Sequence, residues 1–589
     1  MKKLKSIFFI RVEGFNTQEL ATRGSFRALL KGIKPRIQIP YENNIPRPFR
    51  ARLLICFIFL SFNIFAVPYD MILVGDPILE DIRYLSLESG QALLSFTAPL
   101  APHEIAQFLD RIDESTLSPP AREAYNRVAD RLNPRTPLSL TGEHFAFFFN
   151  INSTLEARAK FNNDVDWYPV YPKIPALLSL PIRLFFADTL QLYVDTAISA
   201  DPYDYFNNDS LSGNIVFLGN DINGNSPMRA FVAAGGTWWN FQLGRDRLAF
   251  GTGISGNLAI ADNPPFYEFM RLSFFSKYVK YSMLINHTPM KLEDTEFYPH
   301  GLDEDSLKTS IQRYFYLHRI DFNLFNVLSI ALMEGIMVGN SSLELRYLNP
   351  LIIFHNAMLW RDYDIWAESK KRGGDGHMVG SFFSVEINWN ITKALSAYGQ
   401  IVMNELAINN EISKGSSEAP NGLGFMGGVQ YSHSFDTWAS VFYLECIYTY
   451  PYLYMNQTPF SSIIFMHNVE YFHSGKYFYY FGYPRDTLAI TAGAKFFNSD
   501  KLILNCDFSW VSRGEHGGYP IEWDWEKSDT AFYATSPSGI PENNFILSVG
   551  GQWKVLSYLT LKGNLTGIFS QNNSDVFGGQ ASLSATFHY

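Results

Sequence analysis

The last eight residues of the chain alternate in character. Leu583, Ala585, Phe587 and Tyr589 share one face of an extended segment, and Ser582, Ser584, Thr586 and His588 share the other. The pattern recurs upstream. Leu559, Leu561, Leu565 and Phe569 oppose Thr560, Lys562, Asn564 and Thr566. Leu547, Val549, Trp553 and Val555 oppose Ser548, Gln552 and Lys554. Leu502, Leu504, Cys506, Phe508 and Trp510 oppose Lys501, Asn505, Asp507 and Ser509, and Val385, Ile387 and Trp389 oppose Glu386, Asn388 and Asn390. Period two over segments of about 10 residues is what a strand with one apolar and one polar face requires.

A soluble sandwich alternates too, so composition decides. Aromatics make up 16% of the 589 residues, with 50 Phe, 33 Tyr and 11 Trp, whereas charged residues are only 18%. A soluble domain carries about 25% charged residues. No run of 18 or more apolar residues marks a spanning helix in the body of the chain. Dense aromatics on apolar faces, few charges and an aromatic final residue point to a transmembrane β-barrel. At roughly 25 residues per strand and connection, residues 141–589 supply about 18 antiparallel strands. Such a barrel has room for an aqueous lumen unless something plugs it. The charged stretch 368–376 reads as a solvated loop.

The N-terminal part differs. Arg47, Arg50 and Arg52 precede an apolar run from Leu53 to Ala66, with Ala66 a plausible cleavage position. This is the form of a secretory signal peptide, displaced about 50 residues from Met1 by a long extension or a misassigned start codon. Residues 1–52 hold 12 Lys/Arg and 3 Asp/Glu, so the remainder carries 35 basic and 54 acidic residues, near −19. That balance argues against nucleic acid as a partner. Residues 67–140 read as a small helical segment. One helix opens at Ala101-Pro102-His103-Glu104, with Ile105, Phe108, Leu109 and Ile112 on one face. Another opens at Pro119-Pro120, carries Tyr125, Val128 and Leu132, and ends at Asn133-Pro134. Cys56, Cys446 and Cys506 form no disulfide framework and no Cys/His metal spacing, and no cofactor is expected.

Residues 251–256 read GTGISG and fit G-x-G-x-x-G. A dinucleotide-binding loop would need a helix to follow and an acidic residue about 20 positions on. Pro264-Pro265 bar that helix, and no Asp or Glu lies between Glu268 and Glu293. Gly251 and Gly253 are therefore expected to serve a tight turn or strand break.

The surrounding residues are more specific. Thr237-Trp238-Trp239-Asn240-Phe241-Gln242-Leu243-Gly244-Arg245-Asp246-Arg247 is followed by Phe250-Gly251-Thr252-Gly253 and Asn263-Pro264-Pro265-Phe266. A second block holds His318-Arg319-Ile320-Asp321-Phe322, Glu334-Gly335 and Leu345-Arg346-Tyr347-Leu348-Asn349-Pro350. Together they resemble the capsule-assembly Wzi family, strongly at 236–271 and 315–350 and by pattern over residues 70–589. The family's W-G-P-G turn is Phe250-Gly251-Thr252-Gly253 here, and the loops look unrelated. The resemblance implies an outer-membrane β-barrel of about 18 strands with a periplasmic helical part, a monomer delivered by the barrel-assembly machinery and surrounded by outer-membrane lipid. It further implies a non-catalytic lectin that ties surface polysaccharide to the cell. The alternative is a passive channel for small polar solutes. An outer-membrane hydrolase would need a Ser/His constellation, and no G-x-S-x-G elbow or spaced metal cluster stands out.

Arg245 and Arg247 share a strand face with Trp239, Phe241 and Leu243, so strict alternation would place two arginines in lipid, at about 2–4 kcal/mol each at mid-bilayer. The strand is therefore expected to end, bulge or leave the bilayer near Gly244. Arg245, Asp246 and Arg247 are expected either to form an ion network with Glu334 and Arg346 that closes the lumen, or to bind acidic sugars through the bidentate guanidinium fork. Arg319 and Asp321 alternate correctly for a lumen face and share the same two readings.

Overall fold

The alternating segments pair in chain order into one closed sheet. The computed structural model describes residues 69–589 except 133–138, 142–144, 163–164, 166–173, 201–210, 217–220, 224–225, 227–228, 265, 292–309, 340, 355–378, 407–420, 456–461, 469–475, 481, 500, 516–535 and 572–574. The expected signal peptide lies outside the described residues.

Among the described residues, eighteen strands form the wall. Strand β1 comes in two pieces of one register, Phe145–Phe149 and Asn152–Phe161. It is followed by β2 (Leu178–Phe186), β3 (Leu190–Ile198), β4 (Arg229–Gly235), β5 (Trp239–Asp246) and β6 (Tyr267–Phe275). Next come β7 (Val279–His287), β8 (Arg313–Leu324), β9 (Leu328–Gly339), β10 (Val379–Thr392), β11 (Leu395–Glu405) and β12 (Gly422–Phe435). The last six are β13 (Trp438–Thr449), β14 (Thr487–Asn498), β15 (Leu502–Arg513), β16 (Glu542–Leu556), β17 (Leu559–Gln571) and β18 (Asp575–His588). Strand β18 returns to β1 from Gly579↔Phe161 to His588↔Asn152, which closes the cylinder and removes every free edge.

One end of the barrel carries turns of two or three residues, such as 187–189, 325–327 and 436–437. The other carries the long connections, including 199–228, 340–378 and 450–486. In bacterial barrels the short turns face the periplasm and the long loops face outward. The outer wall is a belt of uncovered apolar side chains. Leu547, Val549, Leu565 and Leu583 are all exposed, Leu565 to 63%, while Asn544 and Thr566 on the opposite face are buried. A belt of this kind is covered by lipid in a transmembrane barrel. Cys446 and Cys506 are exposed on it and unpaired.

Residues 69–132 belong to the same compact unit as the barrel and dock at its short-turn end. Helix α1 (Ile78–Ser89), absent from the sequence reading, precedes α2 (Pro102–Leu109) and α3 (Pro119–Leu132). Pro77 before it and Gly90 after it, at φ 71°, were the available start and stop signals. Ile82 and Leu85 of α1 pack in one cluster with Ile105, Phe108, Val128 and the wall residues Ala439 and Phe497.

At mid-strand on the outer face, Leu565→Arg is expected to lower the stability of the bilayer-folded protein by about 2–4 kcal/mol. Replacing the lumen-facing neighbour Lys562 with alanine should change it little. Reversible denaturant titration in lipid vesicles reads both.

Candidate functional site: a lumen entered from both ends

Beyond Asp246 the chain folds into the barrel. Leu248, Phe250, Leu258 and Ile260 are fully buried against the inward-facing Phe269, Leu284, Leu317, Met333 and Met337. There the segment meets the N-terminal part. Ala249–Phe250 pairs antiparallel with Thr97–Ala98, and Gly251 N donates to the Phe96 carbonyl at 2.8 Å. A segment from the short-turn end and a loop from the long-loop end thus share a small sheet inside the lumen.

The GTGISG loop supplies the next contact. Gly251 has φ 135°, and a Cβ there would strike the Asn257 side chain, while one on Gly253 would strike the Gly256 carbonyl oxygen. The bare backbone lets the loop wrap Glu445, which points inward from β13. The Glu445 carboxylate accepts from Ile254 N at 2.8 Å, Ser255 N at 3.0 Å, the Ser255 hydroxyl, and the Tyr398 hydroxyl at 2.7 Å. Successive N–H groups around an anion form a nest, here filled by a carboxylate from the protein's own wall.

A second set of charges lies beside it. Arg319 is 1% exposed and donates to Asp321 Oδ1 through Nε and Nη2 at 2.9 and 2.7 Å, and to Glu386 Oε2 at 3.0 Å. Gln400 donates to the same Glu386 oxygen at 3.2 Å and accepts from Leu258 N at 2.6 Å and Ala259 N at 3.2 Å. Arg319 and Asp321 therefore face the lumen and belong to the network that holds the inserted loop. Wall charges also hold the N-terminal segment. Lys280 reaches Glu104 at 2.5 Å, Arg271 donates to the Pro99 carbonyl at 2.5 Å, and Arg183 reaches Asp70 at 2.8 Å, a carboxylate that Arg131 of α3 also holds at 2.7 Å. Glu104 is used twice, because its other oxygen accepts from Ala101 N at 3.1 Å and caps α2.

The remaining sequence candidates separate. Of the three outcomes expected near Gly244, the strand ends: β5 stops at Asp246 and its registers with β4 and β6 run without a bulge. Asp246 points inward, fully buried, and pairs with Arg229 at 2.9 Å. Arg245 points outward at the long-loop rim, pairs with Glu268 and stacks over Phe266 at 4.0 Å. Arg247 pairs with Asp262. Glu334 and Arg346 do not close the lumen. On β9 the inward residues are Ala331, Met333 and Met337, which puts Glu334 on the outer face opposite His318. Arg346 sits in a segment packed on the outside of the wall, beside Glu344. The inner face of β9 is as apolar as the outer here because the inserted loop packs against it.

No family model and no curated protein matches the chain. Among solved structures it is similar to Wzi of Escherichia coli, an outer-membrane protein involved in group 1 capsule assembly and described as a carbohydrate-binding β-barrel. The identity is 14%, over 86% of this chain and 97% of that one, with a TM-score of 0.47. OpdO of Pseudomonas aeruginosa matches at 11% identity, 76% and 97% coverage and a TM-score of 0.38. OccD1 (OprD) matches at 10%, 75% and 95%, with a TM-score of 0.37. These scores lie below 0.5, so the functional reading rests on the chain's own residues.

Two substitutions test the latch. Glu445→Ala removes the acceptor of two part-buried loop N–H groups and of the buried Tyr398 hydroxyl, at about 1 kcal/mol for each hydrogen bond lost. Arg319→Ala strands Asp321 and Glu386 and is expected to cost about 3–5 kcal/mol. Thermal unfolding should show both losses, and limited proteolysis should show the 247–264 segment released in the Glu445 variant before the wall unfolds.

Proposed function

We propose that this protein is an outer-membrane β-barrel that binds or anchors surface polysaccharide without catalysis. The observation carrying this reading is the lumen insert: the Thr97–Ala98 and Ala249–Phe250 ladder, buried between two wall-anchored segments, occupies the path that a solute would take. A barrel filled this way offers its outer end as a surface. The long-loop rim presents partly exposed charge beside an aromatic ring, with Arg245, Glu268 and Phe266 together and Arg247 with Asp262 nearby. Arginine forks next to carboxylates suit acidic and hydroxyl-rich sugars. The partners on this reading are surface polysaccharide and outer-membrane lipid, with the barrel-assembly machinery acting on the aromatic C-terminal strand, and the protein works as a monomer.

One observation favours a passive channel instead. Along β16 and β17 the lumen-facing Gln552, Asn564 and Lys562 are not fully buried. Planar-bilayer recording separates the readings, since a plugged anchor gives a silent membrane and a channel gives discrete current steps. For the anchor, the purified protein is expected to bind acidic glycans on an array. Arg245→Ala with Arg247→Ala should weaken that binding while leaving thermal stability within about 1 kcal/mol, as partly exposed pairs contribute little. Unchanged cell-bound glycan after gene deletion, together with no array signal, would sink the proposal.

A further inference from the structure

The Leu345-Arg346-Tyr347-Leu348-Asn349-Pro350 run, singled out by sequence, has no place in the lumen site. Residues 341–354 leave the top of β9 and fold back over the outer wall. Tyr347 and Phe354 are buried against the outward-facing Ile285, Tyr316, Ile336 and Val338. The Tyr316 and Tyr347 rings lie tilted at 43° with centres 5.0 Å apart, and the Tyr316 hydroxyl accepts from Glu344 N at 2.9 Å. His318 lies against Phe354, with ring centres 4.3 Å apart. One face of the segment is therefore committed to the barrel.

The opposite face is mostly apolar, with Ser342 and Asn349 as its exposed polar side chains. Leu345 is 75% exposed, Leu351 89% and Ile353 57%, with Leu343 beside them. The charged residues of 341–354 are Glu344 and Arg346, and they pair with each other. A loop bathed in water would keep polar side chains on its free side. A loop mostly apolar on both sides has a second apolar neighbour, and the lipid-covered belt of Leu332, Ile387 and Trp389 lies on the same wall.

We infer that residues 341–354 form a flap inserted between the barrel wall and the acyl chains of the outer leaflet. Leu343, Leu345, Leu351 and Ile353 meet lipid, and the Glu344–Arg346 pair removes the cost of a lone charge there. The inference is independent of the glycan reading.

The test labels Leu351→Cys with the fluorophore NBD in full-length protein whose three native cysteines are serine, reconstituted in phosphatidylcholine bilayers. Acyl-brominated phosphatidylcholine should remove most of the emission, and aqueous iodide should remove little. A label at Thr437→Cys, on an exposed short turn, should show the reverse. Leu345→Cys supplies a second reporter if the first variant folds poorly. Iodide quenching equal to that at position 437 overturns the inference by placing the flap in water. Protection from both quenchers overturns it as well, by placing another protein surface, such as a second copy, on the flap.

Discussion

An eighteen-stranded wall encloses more space than its own inward side chains can fill. That constraint governs the rest of the molecule. The lumen must stay wet or receive chain from elsewhere, and here the chain enters from both ends. The N-terminal segment comes from the short-turn side and residues 247–264 from the long-loop side, and they join through the Thr97–Ala98 pairing. The insert changes the chemistry of the wall around it, so that Leu284, Leu317, Met333 and Met337 face inward although most lumen positions of such barrels are polar.

The charges follow from the same packing. Arg319, Lys280 and Arg271 point inward in a region with little water, so each needs a partner: Arg319 has Asp321 on its own strand and Glu386 on β10, and Lys280 and Arg271 reach the N-terminal segment. Buried pairs of this kind add little over an apolar replacement but are costly to break. Their effect is to fix where the insert sits. A slip of α2 along the lumen would separate Glu104 from Lys280, and a slip of the loop would take Leu258 and Ala259 from Gln400.

Much of the wall was legible in the sequence. Alternation gave the strands around Leu504, Leu547 and Leu565, and Pro102 and Pro119 announced α2 and α3. The cost of arginine in lipid gave three outcomes near Gly244, of which the strand end is the one found, and Arg319 and Asp321 lie on the face that alternation assigned. What failed depended on distant chain. The face of Glu334 was misread because its inward neighbours are apolar for the sake of a loop that starts more than 80 residues earlier. Glu445, Gln400 and Glu386 were visible as polar residues on inner faces, but nothing local marked them as the acceptors and donors for residues 254–259. Helix α1 is the exception, because its start and stop signals, Pro77 and Gly90, are local.

The nest around Glu445 also bears on assembly. The loop and its acceptor are 190 residues apart in the chain, and Tyr398 and Gln400 lie between them in sequence. The latch needs β11 and β13 in place on either side of β12. Seating of residues 247–264 therefore depends on wall strands far from them in sequence, and the ladder between Phe250 and Thr97 depends on the same seated loop. The filling of the cylinder is thus coupled to its closure, because the groups that hold the insert are brought together only by strands drawn from both halves of the chain.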